Sequence, residues 1–173
     1  MRTLAILTVV LLALAAAILV VKEQSNTSGS QKKTTQKQHP LQDWNETGVA
    51  WQTFDAGVRQ ARAEHKPVCL IFYAEWCPHC RNYGKVFRDP GIIEKSRQFV
   101  MIRVDVDEEK EIGNSFQPDG SYVPRTYFLS QGGMSDYSLT ASVPPAPQYK
   151  YFYDENNPVS LSEGMDRALK KLK

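Results

Sequence analysis

Cys77 and Cys80 are the residues best suited to chemistry in this sequence of 173 residues, in the run Trp76-Cys77-Pro78-His79-Cys80. A Cys-x-x-Cys pair has several uses. Haem attachment needs His directly after the second cysteine, and here that residue is Arg81. A structural zinc needs two further ligands. Cys69 lies in an apolar run, and only His39, His65 and His79 remain. A structural disulfide across four residues is strained. Redox exchange fits best, because of where the pair falls. Pro78 suits the first turn of a helix, which puts Cys77 at the helix N-terminus. Unsatisfied N–H groups and positive potential there favour the thiolate, the nucleophilic form. Cys80, one turn on, is within reach to attack a mixed disulfide on Cys77. His79 can donate a hydrogen bond or positive charge to that thiolate, so Pro78 and His79 are expected to tune the pair. No organic cofactor and no metal are required.

The elements that position the pair follow from periodicity. Val68–Tyr73 is six apolar residues without alternation, the pattern of a central strand covered on both faces. Before it, Phe54–Glu64 reads as a helix, with Phe54, Val58 and Ala61 on one face. The cysteine helix runs to about Arg88, where Asp89-Pro90-Gly91 interrupts it. Phe99–Val106 and Arg125–Leu129 read as strands, with a short helix or turn over 107–115. Gln131-Gly132-Gly133 turns the chain into a fourth strand near Asp136–Ala141, and Ser160–Leu172 reads as a terminal helix. The order predicts an α/β sandwich, a mixed central sheet flanked by helices.

Residues 1–21 form a separate segment. Thr3–Val21 is uncharged and free of Gly and Pro, and as a helix it spans about 28 Å, close to the hydrocarbon thickness of a bilayer. It is expected to be a signal-anchor or a cleaved signal peptide. Residues 22–40 are rich in Ser, Thr, Gln and Lys and read as a flexible tether. The folded domain is expected over 41–173. The chain's 21 Lys/Arg and 19 Asp/Glu are unevenly placed. Five Lys/Arg and Glu23 alone fall in residues 1–40, which leaves the body with 16 against 18 and slightly acidic. That argues against a nucleic-acid partner. The lysines after the apolar segment would place the body in the cytosol by the positive-inside rule. The cysteine chemistry argues for the opposite, oxidising side.

Phe72-Tyr73-Ala74-Glu75-Trp76-Cys77 resembles the entry to a thioredoxin active site. Further stretches are similar to the anterior-gradient group of single-domain endoplasmic-reticulum proteins and their bacterial thioredoxin-like relatives. They are Phe99-Val100-Met101, Pro118-Asp119-Gly120-x-Tyr122-Val123-Pro124-Arg125 and Tyr149-Lys150-Tyr151-Phe152-Tyr153. The likeness covers about residues 44–173. It implies a thioredoxin-like fold, with a cis peptide bond at Val123-Pro124 facing the cysteines. It also implies a substrate groove bordered by Trp76, Val123 and Pro124. The implied activity is thiol–disulfide exchange on exported proteins, as oxidase, isomerase or reductase. The partners would be protein thiols and disulfides, a separate redox partner, and a membrane through residues 3–21.

Two departures bear on direction. Reducing members of the superfamily carry a buried Asp six residues before the nucleophile, and here Ile71 stands there. The Pro-His dipeptide resembles that of the oxidant DsbA, which implies a pair on the oxidising side of the range from about −270 to about −120 mV. The chain ends Lys170-Lys171-Leu172-Lys173, without an acidic endoplasmic-reticulum tail. The expected location is therefore the periplasmic side of an inner membrane, anchored or secreted, or the endoplasmic-reticulum lumen in a eukaryote. The alternatives are a client-binding or chaperone module with idle cysteines, and a copper carrier using Cys77 and Cys80. Arg125 is read as steering acidic substrates or pairing with Glu75 or Asp119, and Cys69 as an inert buried thiol.

Overall fold

A computed structural model describes Trp44, residues 47–142, Pro144 and residues 146–172. The expected membrane segment and tether lie outside the described residues. No described helix is long and apolar enough to cross a membrane.

Val68–Tyr73 (β2) is fully buried and central, as its unbroken apolar run predicts. It pairs parallel with β3 (Val100–Asp105) and antiparallel with β4 (Arg125–Leu129). The edge strand β1 (Trp51–Gln52) joins β3 in parallel, giving the order β1-β3-β2-β4. That strand is too short to carry a sequence pattern. Successive residues of β2 point to opposite faces, so the strand feeds two cores. Cys69, Ile71 and Tyr73 pack with Trp44, Tyr83 and Met165. Val68, Leu70 and Phe72 pack with Ala61, Ile102 and Tyr127. The Val, Leu, Ile, Phe and Met side chains among them contribute about 1.5–3 kcal/mol each when fully buried.

Helix α1 (Phe54–Glu64) covers the second face and ends at His65, which adopts a left-handed conformation at φ 54°. The first face is covered by α2 (Pro78–Val86), α3 (Pro90–Ser96) and α5 (Pro158–Leu172). The interruption at 89–91 both closes α2 and opens α3. Asp89 Oδ1 accepts from the N–H groups of Gly91 (2.9 Å) and Ile92 (3.1 Å), and Pro90 occupies the first turn. A short helix, α4 (Lys110–Ser115), follows β3.

The expected fourth strand near Asp136–Ala141 does not form. Leu129 and Ser135 make one isolated antiparallel bridge, and pairing stops there. Asp136 is the reason. Its Oδ1 accepts from both the N–H (3.0 Å) and the hydroxyl (2.7 Å) of Ser138, and Oδ2 pairs with Lys171 at 2.8 Å. An Asp that captures the backbone two residues ahead builds a turn in place of a ladder. The outer edge of β4 is met instead by the aromatic run, where Thr126 N–H donates to the Tyr151 carbonyl at 2.8 Å.

Candidate active site

The end of β2 delivers the chain to Cys77. Ala74 O accepts from Cys77 N–H at 3.2 Å, and Cys77 becomes the N-cap of α2 with φ −76° and ψ 115°. Pro78 fills the first helical position, where the absent N–H costs nothing. The Cys77 sulfur accepts the N–H of Cys80 at 3.3 Å, one of the helix's orphan donors. Its thiol points at the Val123 carbonyl, 3.6 Å away. Both thiols are free, Cys77 is 3% exposed and Cys80 is fully covered. The pair, the Pro-His dipeptide and the Val123-Pro124 turn are thus brought together, and the Val123-Pro124 bond is cis.

Burial pushes the Cys80 thiol well above its usual range. The hydrogen bond to Cys77, the adjacent Cys77 sulfur and the Glu155 charge act in the same direction, while a backbone hydrogen bond from Ala74 opposes them. Burial alone pushes Cys69 up. It lies in mid-strand and takes no part in the site. Ile71 is wholly buried in the same apolar core as Cys80.

These shifts predict a pH dependence. A thiol whose folded value is raised contributes stability that is present below the unfolded value of about 8.5 and is lost as pH rises above it. Reduced protein should therefore lose stability between about pH 8 and 9.5, below the range in which ordinary tyrosines ionise. The slope should be shallower in Cys69→Ala, by up to about 1.4 kcal/mol per pH unit. Urea midpoints measured at three pH values check this. Identical slopes in the two proteins would contradict it.

Trp76 is 66% exposed beside the pair and is held by a 2.7 Å hydrogen bond from Nε1 to Asp107 Oδ2. Arg81 Nη1 donates to the carbonyls of Glu75 (3.3 Å) and Trp76 (3.4 Å), which fixes the turn before Cys77. On the other side of the pair, His79 and Val123 line a cleft of about 590 Å³ with Tyr122, Tyr149, Phe152 and Glu155. Tyr122 ties its wall together. Its hydroxyl donates to Asp119 Oδ2 at 2.7 Å and accepts the N–H of Tyr151 at 2.9 Å. Within the aromatic run, Tyr151 and Tyr153 are buried, and Tyr149 and Phe152 line the cleft.

The reading of Arg125 as a guide for acidic substrates is corrected. Arg125 is 1% exposed and faces no substrate. Its guanidinium donates to the carbonyls of Phe116 (3.1 Å), Tyr122 (2.6 Å) and Gly113 (2.8 Å), with the Phe72 ring 4.7 Å from its carbon. It thereby holds the segment that leads into Val123-Pro124. Glu155 and Asn82 were not singled out by sequence, and Tyr122 entered only as part of the motif that carries the resemblance. Glu155 lies 76 positions from His79, and nothing local marks it. Among the described residues no cluster of His, Cys, Asp and Glu could hold a metal ion.

Residues 50–130 match the thioredoxin-like family. Over 145 residues the chain is 30% identical to anterior gradient protein 2-B of Xenopus laevis, with 82% of this chain and 83% of that protein covered. Over 154 residues it is 28% identical to the human anterior gradient protein 2 homolog, with 84% and 83% covered. A thioredoxin from Thermus thermophilus superposes with a TM-score of 0.56 at 20% identity, covering 72% of this chain and 89% of that one. A structure described as DsbH oxidoreductase gives 0.53 at 15% identity, covering 71% and 85%. At these identities the structural likeness is one of fold, and that fold is thioredoxin-like.

Proposed function

The chain belongs to the anterior gradient family of thioredoxin-like proteins, and from that premise we propose that it is a thiol–disulfide oxidoreductase acting on exported proteins through Cys77 and Cys80. The observation that carries the reading is the placement of Cys77. Its sulfur caps α2, accepts the Cys80 N–H and faces Val123 O, while Cys80 is buried three residues on. Cys77 is the attacking sulfur because it stands at the helix N-terminus and borders the cleft wall. Cys80 is the resolving sulfur because solvent and client do not reach it.

In the reducing direction, the Cys77 thiolate attacks a client disulfide. One client sulfur leaves as a thiolate, and the other is bonded to Cys77. Cys80 then gives up its proton and attacks Cys77, which releases the second client sulfur and closes the Cys77–Cys80 bond. Two electrons pass to the client. The oxidising direction is the reverse. A buried Cys80 raised above its usual range and an apolar Ile71 beneath it slow the step in which Cys80 must ionise. The same burial slows the reverse step, in which Cys80 leaves as a thiolate, so the direction rests on the Pro-His dipeptide, which implies net oxidation of clients with Pro78 and His79 tuning the pair. Trp76, Val123 and Pro124 border the site where an extended client strand would lie. The remaining partners are a separate redox protein and, through residues 3–21, a membrane. The proposed location is on its oxidising side.

The second reading is a client-holding module, favoured by the cleft beside the pair. Oxidative refolding of reduced ribonuclease in a glutathione buffer separates the two. Wild type should accelerate recovery catalytically, and Cys77→Ser should fall to the rate of the buffer alone. Suppressed aggregation with no gain in recovery rate would favour holding.

A further inference from the structure

Glu155 has no part in the exchange steps above, yet it is a firmly held carboxylate beside the cysteine pair. Its side chain is 12% exposed. Its two oxygens lie 3.0 and 2.9 Å from His79 Nδ1, and Asn82 Nδ2 donates to Oε1 at 3.3 Å. The Phe152 ring packs edge-on to the imidazole, with centroids 5.9 Å apart and planes at 76°. An ionised carboxylate only accepts, so Nδ1 carries a hydrogen. Nε2 has no protein partner among the described residues, on a side chain that is 60% exposed and lines the cleft. Val123 lines the same cleft, and its carbonyl faces the Cys77 thiol.

We propose that Glu155 is a positioning residue for proton transfer in thiol exchange, holding His79 with its hydrogen on Nδ1 so that Nε2 takes the proton of a client thiol arriving at Cys77. The inference rests on the oxidoreductase reading. A carboxylate that fixes one imidazole nitrogen decides which nitrogen is left to exchange protons.

In the oxidising direction the pair begins as a Cys77–Cys80 disulfide, formed beforehand by a small disulfide such as oxidised glutathione. The client thiol gives its proton to Nε2, and its electron pair forms a bond to the Cys77 sulfur. The Cys77–Cys80 bond breaks, and its electron pair leaves on Cys80. Cys80 takes up a proton while Nε2 returns its own to solvent, so the proton count closes. The client sulfur is oxidised and Cys80 is reduced. In reverse, Nε2–H protonates the departing client thiolate.

The test uses oxidised protein and two thiols. One is a cysteine peptide, whose thiol must lose a proton to react. The other is thionitrobenzoate, an aromatic thiol already ionised at neutral pH. Glu155→Gln should slow the peptide reaction about tenfold or more and leave thionitrobenzoate unslowed. His79→Ala should slow the peptide more than thionitrobenzoate, because loss of its tuning of the pair acts on both thiols while loss of Nε2 acts on the peptide alone, and the double variant should be no slower than His79→Ala, because the two act as one unit. Nitrogen-15 shifts of the neutral His79 ring should report hydrogen on Nδ1 in wild type and mainly on Nε2 in Glu155→Gln. Equal slowing of both thiols, an unchanged peptide rate, additive losses in the double variant, or a wild-type ring with hydrogen on Nε2 would each overturn the proposal. Oxidised wild type that reacts with neither thiol would instead overturn the oxidoreductase reading itself.

Discussion

Cys80→Ser is expected to turn a transient exchange into a covalent trap. With Cys80 present, the mixed disulfide on Cys77 is attacked by a thiol held three residues away in the first turn of α2. Well-oriented intramolecular attack has an effective concentration of about 10⁵ M or more, against thiols that are millimolar in solution. Serine in the same place has no nucleophilic sulfur, so the adduct persists until an outside thiol reaches Cys77. Its lifetime should rise about a hundredfold or more. Non-reducing gels of protein purified after thiol blocking read this directly. Client-sized adducts should appear in Cys80→Ser and vanish on reduction. They should be absent from the Cys77→Ser/Cys80→Ser double variant and unchanged by Cys69→Ala. Adducts that survive loss of Cys77 would move the reactive sulfur elsewhere and end the assignment. Because Cys77 is itself 3% exposed, the adducts should be selective for extended or unfolded clients that can enter beside Val123.

The parts of this site that could be read from the sequence are those fixed by local rules. Val68–Tyr73 announces a central strand because nothing in it tolerates water, and all six residues are buried. Pro78 fixes where α2 begins, and with it the capping role of Cys77. The cis bond at Val123-Pro124 followed from resemblance rather than from periodicity. Asp136–Ala141 misled for a physical reason. Tyr137, Leu139 and Ala141 alternate as a strand does, and Leu139 and Ala141 are indeed buried. Alternation records burial, though, and the side-chain hydrogen bonds of Asp136 decided the backbone path.

What could not be read depends on distance along the chain. His79 and Glu155 meet only because α2 and the loop before α5 share the first face of the sheet. Arg125 adjoins the motif in sequence, and its charge suggested a surface role. Its neighbours are three carbonyls of the segment 113–122, a set of acceptors that no pattern of residue types encodes.

Arg125 should accordingly matter more to the fold than any other charged side chain at the site. It is buried at the base of the segment that carries Val123, and its fork satisfies three carbonyl groups at once. Arg125→Met keeps much of the volume and the contact with Phe72 but leaves those acceptors without a donor. Each stranded buried acceptor costs about 1–3 kcal/mol, so the variant should lose about 3 kcal/mol or more. That is a large share of the roughly 5–15 kcal/mol typical of one domain. Arg125→Lys keeps the charge without the fork, and a single ammonium on a flexible stem does not span Gly113, Phe116 and Tyr122 together. It should recover less than half of the loss. Urea unfolding of the three proteins measures this. A second reading separates stability from site geometry. In Arg125→Lys, under conditions where it is fully folded, Val123 is no longer anchored through Tyr122, so exchange at Cys77 should slow several-fold while thiol content stays unchanged. A lysine variant as stable and as reactive as wild type would show that the buried charge alone matters. The three-way hydrogen bonding would then not be what sets the cleft wall against Cys77.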